Sequence, residues 1–311
     1  MKKNFAPIVL FTYNRLDCLV KVVNSLKKNS ESKRSYLFIF SDGAKNNEID
    51  KKRVKEVRNF IRHIKGFKKI LITENAQNKG LSINIINGVA KIFNKFSKAI
   101  IIEDDIQVSR YFLQFMNDAL DIYKNDKNVA SIHGYQYPIT FPKNFLDTFF
   151  LKGADCWGWA TWKRAWSFFE KDSLKLYLKF KNNKKLIKEF NYGNSYNFFK
   201  MLKDQSKGKV NSWAIRWYAS TFLRNMYTLY PKKSYVKNLG INYKGTHPNN
   251  FFFNHSELQN KFKKIERVPL VESEFYKEKL KYFFKRQKIL RFIYLIKYLL
   301  IKKVFNIFIN K

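Results

Sequence analysis

Cysteine is nearly absent: Cys18 and Cys156 are the two in 311 residues. Their spacing fits neither a disulfide framework nor a zinc site, and suits a reducing cytoplasm. Acids are scarce too, 24 Asp and Glu against 61 Lys and Arg, for a formal net charge of +37. With six Pro and eleven Gly, there is no low-complexity linker, and no internal repeat is visible. No uncharged apolar run approaches the roughly 18–20 residues that a membrane span needs. The opening Met1-Lys2-Lys3-Asn4-Phe5-Ala6-Pro7 reads as no secretory signal, because Tyr13-Asn14-Arg15 breaks the apolar run after Pro7.

The chain is 45% hydrophobic and 18% aromatic, enough for a large core and too aromatic for disorder. The charge has three readings. Nucleic-acid binding is one, attraction to an anionic membrane is another, and codon bias toward Lys, Asn, Ile and Phe is the third. Bulk charge alone does not choose among them.

Three of the acids are consecutive. Ala99-Ile100-Ile101-Ile102 runs directly into Glu103-Asp104-Asp105. The apolar run reads as a strand buried on both faces. Three adjacent carboxylates repel one another and need an opposite charge. A Lys or Arg would serve, and so would a divalent metal, which prefers hard oxygen ligands and bridges carboxylates to phosphates. The plainer alternative is a surface turn with acids at the start of the next helix.

Strands are expected over Pro7–Tyr13, Tyr36–Phe40, Lys69–Thr73 and the acidic strand. They alternate with helices over Leu16–Lys28, Asp50–Ile64, Leu81–Phe96 and Tyr111–Tyr123. This alternation predicts an α/β fold with a mostly parallel sheet flanked by helices. Its sites gather where the chain leaves the strands: Thr12 to Arg15, Asp42-Gly43, the Asn78 region and Glu103 to Asp105. Farther on, Val129–Tyr135 and Thr148–Leu151 read as strands. Leu174–Phe190 and Trp213–Met226 read as helical, and Asn238-Leu239-Gly240 and Gly245-Thr246-His247 as loops. The expected organisation is a nucleotide-binding half (1–128), an acceptor-side α/β half of the same domain (129–275) and a basic amphipathic helical tail (276–311). In that tail Ile289, Phe292, Ile293, Ile296, Leu299 and Leu300 recur at helical spacing among many lysines. It suits a helix lying in an anionic membrane interface. An ordinary helix packed on the domain is the alternative.

Seven short motifs then occur in order. They are Phe11-Thr12-Tyr13-Asn14-Arg15, Ser41-Asp42-Gly43, Asn78-Lys79-Gly80-Leu81, Glu103-Asp104-Asp105, Cys156-Trp157-Gly158-Trp159-Ala160-Thr161-Trp162, Ser212-Trp213-Ala214-Ile215-Arg216-Trp217 and Gly245-Thr246-His247. Over roughly residues 6 to 250 the chain resembles the GT-A (Rossmann-like) nucleotide-sugar-dependent glycosyltransferases. It is most similar to the family-2-like bacterial enzymes that build surface polysaccharides. The acidic motif is also similar to that of the Golgi enzyme that adds N-acetylglucosamine to mannose.

The resemblance implies a UDP-sugar donor and a Mn²⁺ or Mg²⁺ ion that neutralises the departing diphosphate. It implies Asp105 as direct metal ligand, with Glu103 and Asp104 facing the ribose or metal-bound waters, and His247 as a late metal or diphosphate ligand. Thr12, Tyr13 and Asn14 would line the nucleotide, and Asp42 would accept from the base's imide N–H. Arg15 can pair with phosphate through its planar fork. Asn78, Lys79 and Gly80 would contact phosphate or donor sugar, unless they form only the turn that starts a helix. Trp157 and Trp159 offer broad faces for sugar rings, unless they fill a core layer, as Trp162 is expected to do. An inverting transfer needs a carboxylate base. Asp155 is the first candidate and Asp204 the second. The family often carries an acid before Ser-Trp-Ala, where this chain has Asn211. A retaining mechanism stays open.

The expected activity is therefore a metal-dependent, hexosyl- or N-acetylhexosaminyl-transferring enzyme. Its acceptor would be a lipid-linked or lipopolysaccharide- or capsule-type glycan. It would work in the cytoplasm, held at the inner face of the cell membrane by the tail, with no specific nucleic-acid partner. Three rivals stand beside it: a nucleotidyltransferase, a basic nucleic-acid-binding protein, and a non-catalytic sugar-nucleotide-binding member of the fold. The first would need a Lys- or Gly-rich phosphate loop after the first strand, which Phe11 to Arg15 does not supply.

Overall fold

The computed structural model describes residues 4–240 and 257–309. Its first half follows the predicted alternation: β1 (Ile8–Thr12), α1 (Leu16–Lys27), β2 (Tyr36–Ser41), α2 (Glu48–Arg62), β3 (Lys69–Glu74), α3 (Leu81–Phe93) and β4 (Lys98–Glu103). A short β5 (Ile106–Val108) and α4 (Phe112–Ile122) follow. Next come β6 (Val129–His133), β7 (Thr148–Lys152), β8 (Trp159–Trp162) and α5 (Lys163–Trp166). The helices α6 (Ser173–Phe180), α7 (Lys184–Phe190), α8 (Phe198–Ser206) and α9 (Trp213–Phe222) lead to β9 (Tyr227–Pro231), β10 (Val236–Asn238) and the long α10 (Glu274–Ile309).

Eight strands form one sheet in the order β3-β2-β1-β4-β8-β6-β9-β7. β1 to β4 are mutually parallel, as are β6 and β9, whereas β8 and β7 run against their neighbours. The α/β architecture and the parallel core are those expected. The antiparallel β8, wedged between β4 and β6, was not foreseen. β5 and β10 pair separately as a two-stranded ribbon beyond the sheet edge.

Side-chain alternation along β1 and β4 builds two cores at once. Ile8, Leu10, Ile100 and Ile102 join one apolar cluster with Leu19 and Val22 of α1, Val57 and Ile61 of α2 and Met116 of α4. Val9, Phe11, Ala99 and Ile101 join the other with Ile85 and Val89 of α3 and Trp213 and Trp217 of α9. Helices on both faces leave the carboxyl ends of β1, β2 and β4 on one rim, where Glu103 pairs with Phe11 and Thr12 with Ser41.

The helical material expected over Leu174–Phe190 is present as two helices, α6 and α7. The Asn183 side chain accepts from the Leu186 N–H and starts a second one, with Asn183 itself at non-helical angles (φ −111°, ψ 89°). The division at residue 276 falls inside a packed helix. Tyr276, Leu280, Phe283 and Phe284 of α10 are buried in a third apolar cluster with Phe149, Phe190 and Tyr218, so the beginning of the tail is core. From Tyr282 on, α10 also exposes large apolar side chains: Tyr282, Ile289, Phe292 and Ile293.

Candidate active site

The acidic loop is built where β4 ends. Tyr13, just past β1, donates its N–H to Asp104 Oδ2 at 2.9 Å. Arg15 Nη1 lies 3.0 Å from Asp105 Oδ2 in an ion pair. The β5–β10 ribbon closes over the same point, with the Leu239 N–H donating to the Asp105 carbonyl at 2.7 Å. Gly240 follows. A Cβ there would collide with Asp105 Oδ2 and crowd Arg15 Nη1, so a larger residue would displace the Asp105 carboxylate.

One guanidinium does not balance three carboxylates. Burial, then the charges of Asp105 and Asp104, push Glu103 well above the usual carboxylate range. Burial and Asp105 push Asp104 up to about 7, against the lowering influence of the Tyr13 N–H and Arg15. Burial raises Asp105 as well, with Arg15 opposing it. Among the described residues, three carboxyls face one guanidinium, a crowding that a cation would relieve.

Tyr13 and Asn14 are held by a residue that sequence reasoning missed. Asp50, in the first turn of α2, accepts from the Tyr13 hydroxyl, from Asn14 Nδ2 at 2.6 Å and from the Lys45 N–H at 2.6 Å. These bonds, together with Lys45, outweigh the effect of burial and hold its carboxyl below the ordinary range. Its sequence position signals only a helix start, capped by Asn47.

Asp42, at the end of β2, is engaged already. Oδ1 accepts from the N–H groups of Gly43 (2.9 Å) and Lys79 (3.0 Å) and from Asn75 Nδ2 (3.2 Å), and Oδ2 from the Gly80 N–H (2.9 Å). Burial would raise it, but these donors and Asn84 together leave it lowered. The proposed imide contact to Asp42 is therefore corrected: most of its acceptor capacity fixes the 78–80 turn, and it is 5% exposed. Asn78 Nδ2 ties that turn to the Gly43 carbonyl at 2.9 Å. Gly80, at φ +77°, precedes α3. Lys79 is exposed beside it, and Thr12 is buried at the end of β1.

The second half brings Asp155 to the same region. Its Oδ1 accepts from the Cys156 N–H at 2.8 Å and its Oδ2 from the Tyr137 hydroxyl at 3.1 Å. Buried His133, whose pKa burial lowers, lies 3.9 Å from Asp155 and accepts from the Trp157 N–H at 3.2 Å. Burial, then the charges of Asp155 and Glu103, push the Cys156 thiol well above its ordinary pKa. Trp157 is half-buried, edge-on to Tyr135 at 4.7 Å. Trp159 is a correction. It sits on β8 at 1% exposure, stacked on Trp213 at 5.3 Å, and offers no face to a sugar. Trp162 is core as expected.

Asp204 is engaged within its own helix. It pairs with Lys200 one helical turn away on α8, and that hydrogen bond lowers its pKa. Ser212 of the Ser-Trp-Ala motif caps α9 by accepting from the Ile215 N–H, and Asn211 is exposed before it. His247 lies outside the described residues.

For a divalent metal, the donor chemistry fits but the protein supplies few ligands. Among the described residues, no group of three or more His, Cys, Asp or Glu side chains is arranged to hold an ion. Glu103, Asp104 and Asp105 offer the hard oxygen donors such an ion prefers, and a Mg²⁺ site with few protein ligands is usual.

Residues 1–137 match the GNT-I family model. That span contains Thr12 to Arg15, Asp42, Asp50, the 78–80 turn and all three acids of the cluster. No protein of curated function matches the sequence. Among solved structures, S. aureus TarS 1–349 aligns over 79% of this chain and 62% of its own, at 14% identity and a TM-score of 0.38. The same protein in complex with UDP-GlcNAc aligns over 75% and 57%, at 12% identity and 0.39. The mannosyltransferase PcManGT from Pyrobaculum calidifontis, in complex with GDP-Man and Mn²⁺, aligns over 43% and 36%, at 11% identity and 0.32. The chain thus spans less than two thirds of the length of each. These superpositions are loose, and the family match is the more specific finding.

Proposed function

We propose that this chain is a GT-A-type glycosyltransferase that moves a sugar from a UDP-sugar to a hydroxyl of a glycan or glycolipid acceptor. The observation that carries the reading is the Glu103-Asp104-Asp105 cluster at the carboxyl ends of β4 and β1, within the span that matches the GNT-I family. Open α/β sheets bind ligands at this rim, and a nucleoside diphosphate bridged by a cation suits an uncompensated carboxylate cluster.

In this reading Asp105 holds Mn²⁺ or Mg²⁺ with the donor's diphosphate, and His247 completes the site. The ion, when bound, neutralises charge on the departing diphosphate. Arg15 exchanges its bond to Asp105 for one to phosphate. Tyr13 and Asn14, fixed by Asp50, line the nucleotide, and Glu103 and Asp104 face ribose or water. Lys79 and Gly80, set in place by Asp42, border the phosphates. Asp155 takes the proton from the attacking hydroxyl, with inversion. Two of its lone pairs are engaged and the others are left for that proton. Trp157 packs against the acceptor or donor ring. The acceptor class is a lipid-linked or lipopolysaccharide- or capsule-type glycan of a bacterial surface, and the transferred group a hexosyl or N-acetylhexosaminyl unit.

A thermal-shift panel of UDP, GDP, CMP and dTDP compounds, each with and without Mn²⁺, tests this directly. A ligand that binds only the native state raises its melting temperature by mass action. A Mn²⁺-dependent rise with UDP compounds supports the reading. No rise with any nucleotide overturns it.

A further inference from the structure

The long α10 has two apolar faces. Tyr276, Leu280, Phe283 and Phe284 lie on one and are buried in the fold. At about 100° per residue, Tyr282, Ile289, Phe292 and Ile293 fall on the opposite side. They are 68%, 60%, 64% and 44% exposed. Exposed Lys285, Arg286 and Lys288 accompany this outer stripe. Residues 285–311 carry eight Lys and Arg and no Asp or Glu. Among the described residues, no helix is long and apolar enough to cross a membrane.

We infer that the outer face of α10, over Tyr282 to Ile293, is a docking surface for an anionic lipid bilayer, lying in the interface while the inner face stays bolted to the fold. The charge selects this occupant. Apolar side chains enter the acyl boundary, while long basic chains reach back to anionic headgroups. A second copy of the same chain would oppose one set of cations with another.

The position of the helix gives the contact a consequence. Phe283 and Phe284 pack on Tyr137 at 5.7 and 5.6 Å, and the Tyr137 hydroxyl donates to Asp155. The helix therefore leaves the fold beside Asp155, and a docked molecule holds that side toward the bilayer, where a membrane-borne acceptor would arrive. This corollary rests on the role proposed for Asp155; the docking itself does not.

Co-sedimentation of the full chain with phosphatidylcholine vesicles, alone or containing roughly one-third phosphatidylglycerol, tests the docking without any turnover. The expected result is binding to the anionic vesicles only, released in about 1 M salt, where screening reaches about 3 Å. Combined Phe292→Asp and Ile293→Asp should weaken it about tenfold or more. Because both positions are exposed, the melting temperature should not change. A second variant, Lys285→Gln with Arg286→Gln and Lys288→Gln, should weaken it with no apolar change. Absence of binding, equal binding to neutral vesicles, or unchanged binding in both variants overturns the inference. So does a dimer that the Asp substitutions dissociate.

Discussion

Asp42 and Asp105 leave the same rim of the same sheet, with only β1 between their strands. Asp42 is surrounded by donors, four of them on its two oxygens, and is held below the ordinary carboxylate range. Asp105 is paired with one guanidinium, and burial pushes it above that range. A carboxylate whose lone pairs are filled by its own chain acts as a brace. A carboxylate set among other carboxylates works against the fold and has a reason to be there only if something binds it. Both acids stand in loops after buried strands, yet Asp42 is saturated with donors while Asp105 is paired with Arg15.

The largest effect that would test this contrast is on Asp42. Asp42→Asn places an amide N–H₂ against backbone donors and should cost about 3 kcal/mol of stability, measured by urea unfolding. Asp105→Asn should stay within about 1 kcal/mol of the parent, since it relieves repulsion while losing a partly exposed ion pair. Equal losses in the two variants would erase the distinction. Next comes Gly240→Ala, whose Cβ would collide with Asp105 Oδ2. Displacing that carboxylate should weaken Mn²⁺-dependent nucleotide binding about tenfold, or about 1.4 kcal/mol, read by titration calorimetry.

A pH series sharpens the comparison. Asp104 rises from 3.8 to about 7 on folding. A carboxyl raised in this way binds its proton better in the native state. It therefore favours folding below about pH 3.8 and loses that contribution as pH rises through about 7. The stability of the parent relative to Asp104→Asn should fall across that window, and Mn²⁺ should restore more of it at the upper end than at the lower. A flat difference would show that the cluster carries no such strain. The smallest effect belongs to Asp204→Asn, which should leave transfer unchanged, whereas Asp155→Asn should abolish it with nucleotide binding intact.

The first half of the fold was legible because its strands and helices differ in hydrophobic period, and the acids at the end of β4 interrupt an apolar run unmistakably. Three features were not legible, each for a physical reason. Asp50 reaches Tyr13 through tertiary folding, and a helix-start acid looks the same whether or not it holds a distant hydroxyl. Trp159 belongs to an antiparallel strand inserted between β4 and β6. Aromatic density reads alike in a sugar platform and in a core, and only the pairing of β8 shows that both its faces are covered. Along α10, periodicity announced an amphipathic helix but not the change of face near Phe284, because a docked apolar stripe and an exposed one have the same spacing.

The most direct test of the central claim is calorimetric titration of UDP into the parent protein and into Asp105→Asn, each with and without Mn²⁺. The account predicts Mn²⁺-dependent binding by the parent and its loss in Asp105→Asn, with the variant's melting temperature in the absence of ligand at or above the parent's. Binding of UDP and Mn²⁺ by Asp105→Asn as tight as by the parent would contradict the assignment of the acidic rim as the donor site.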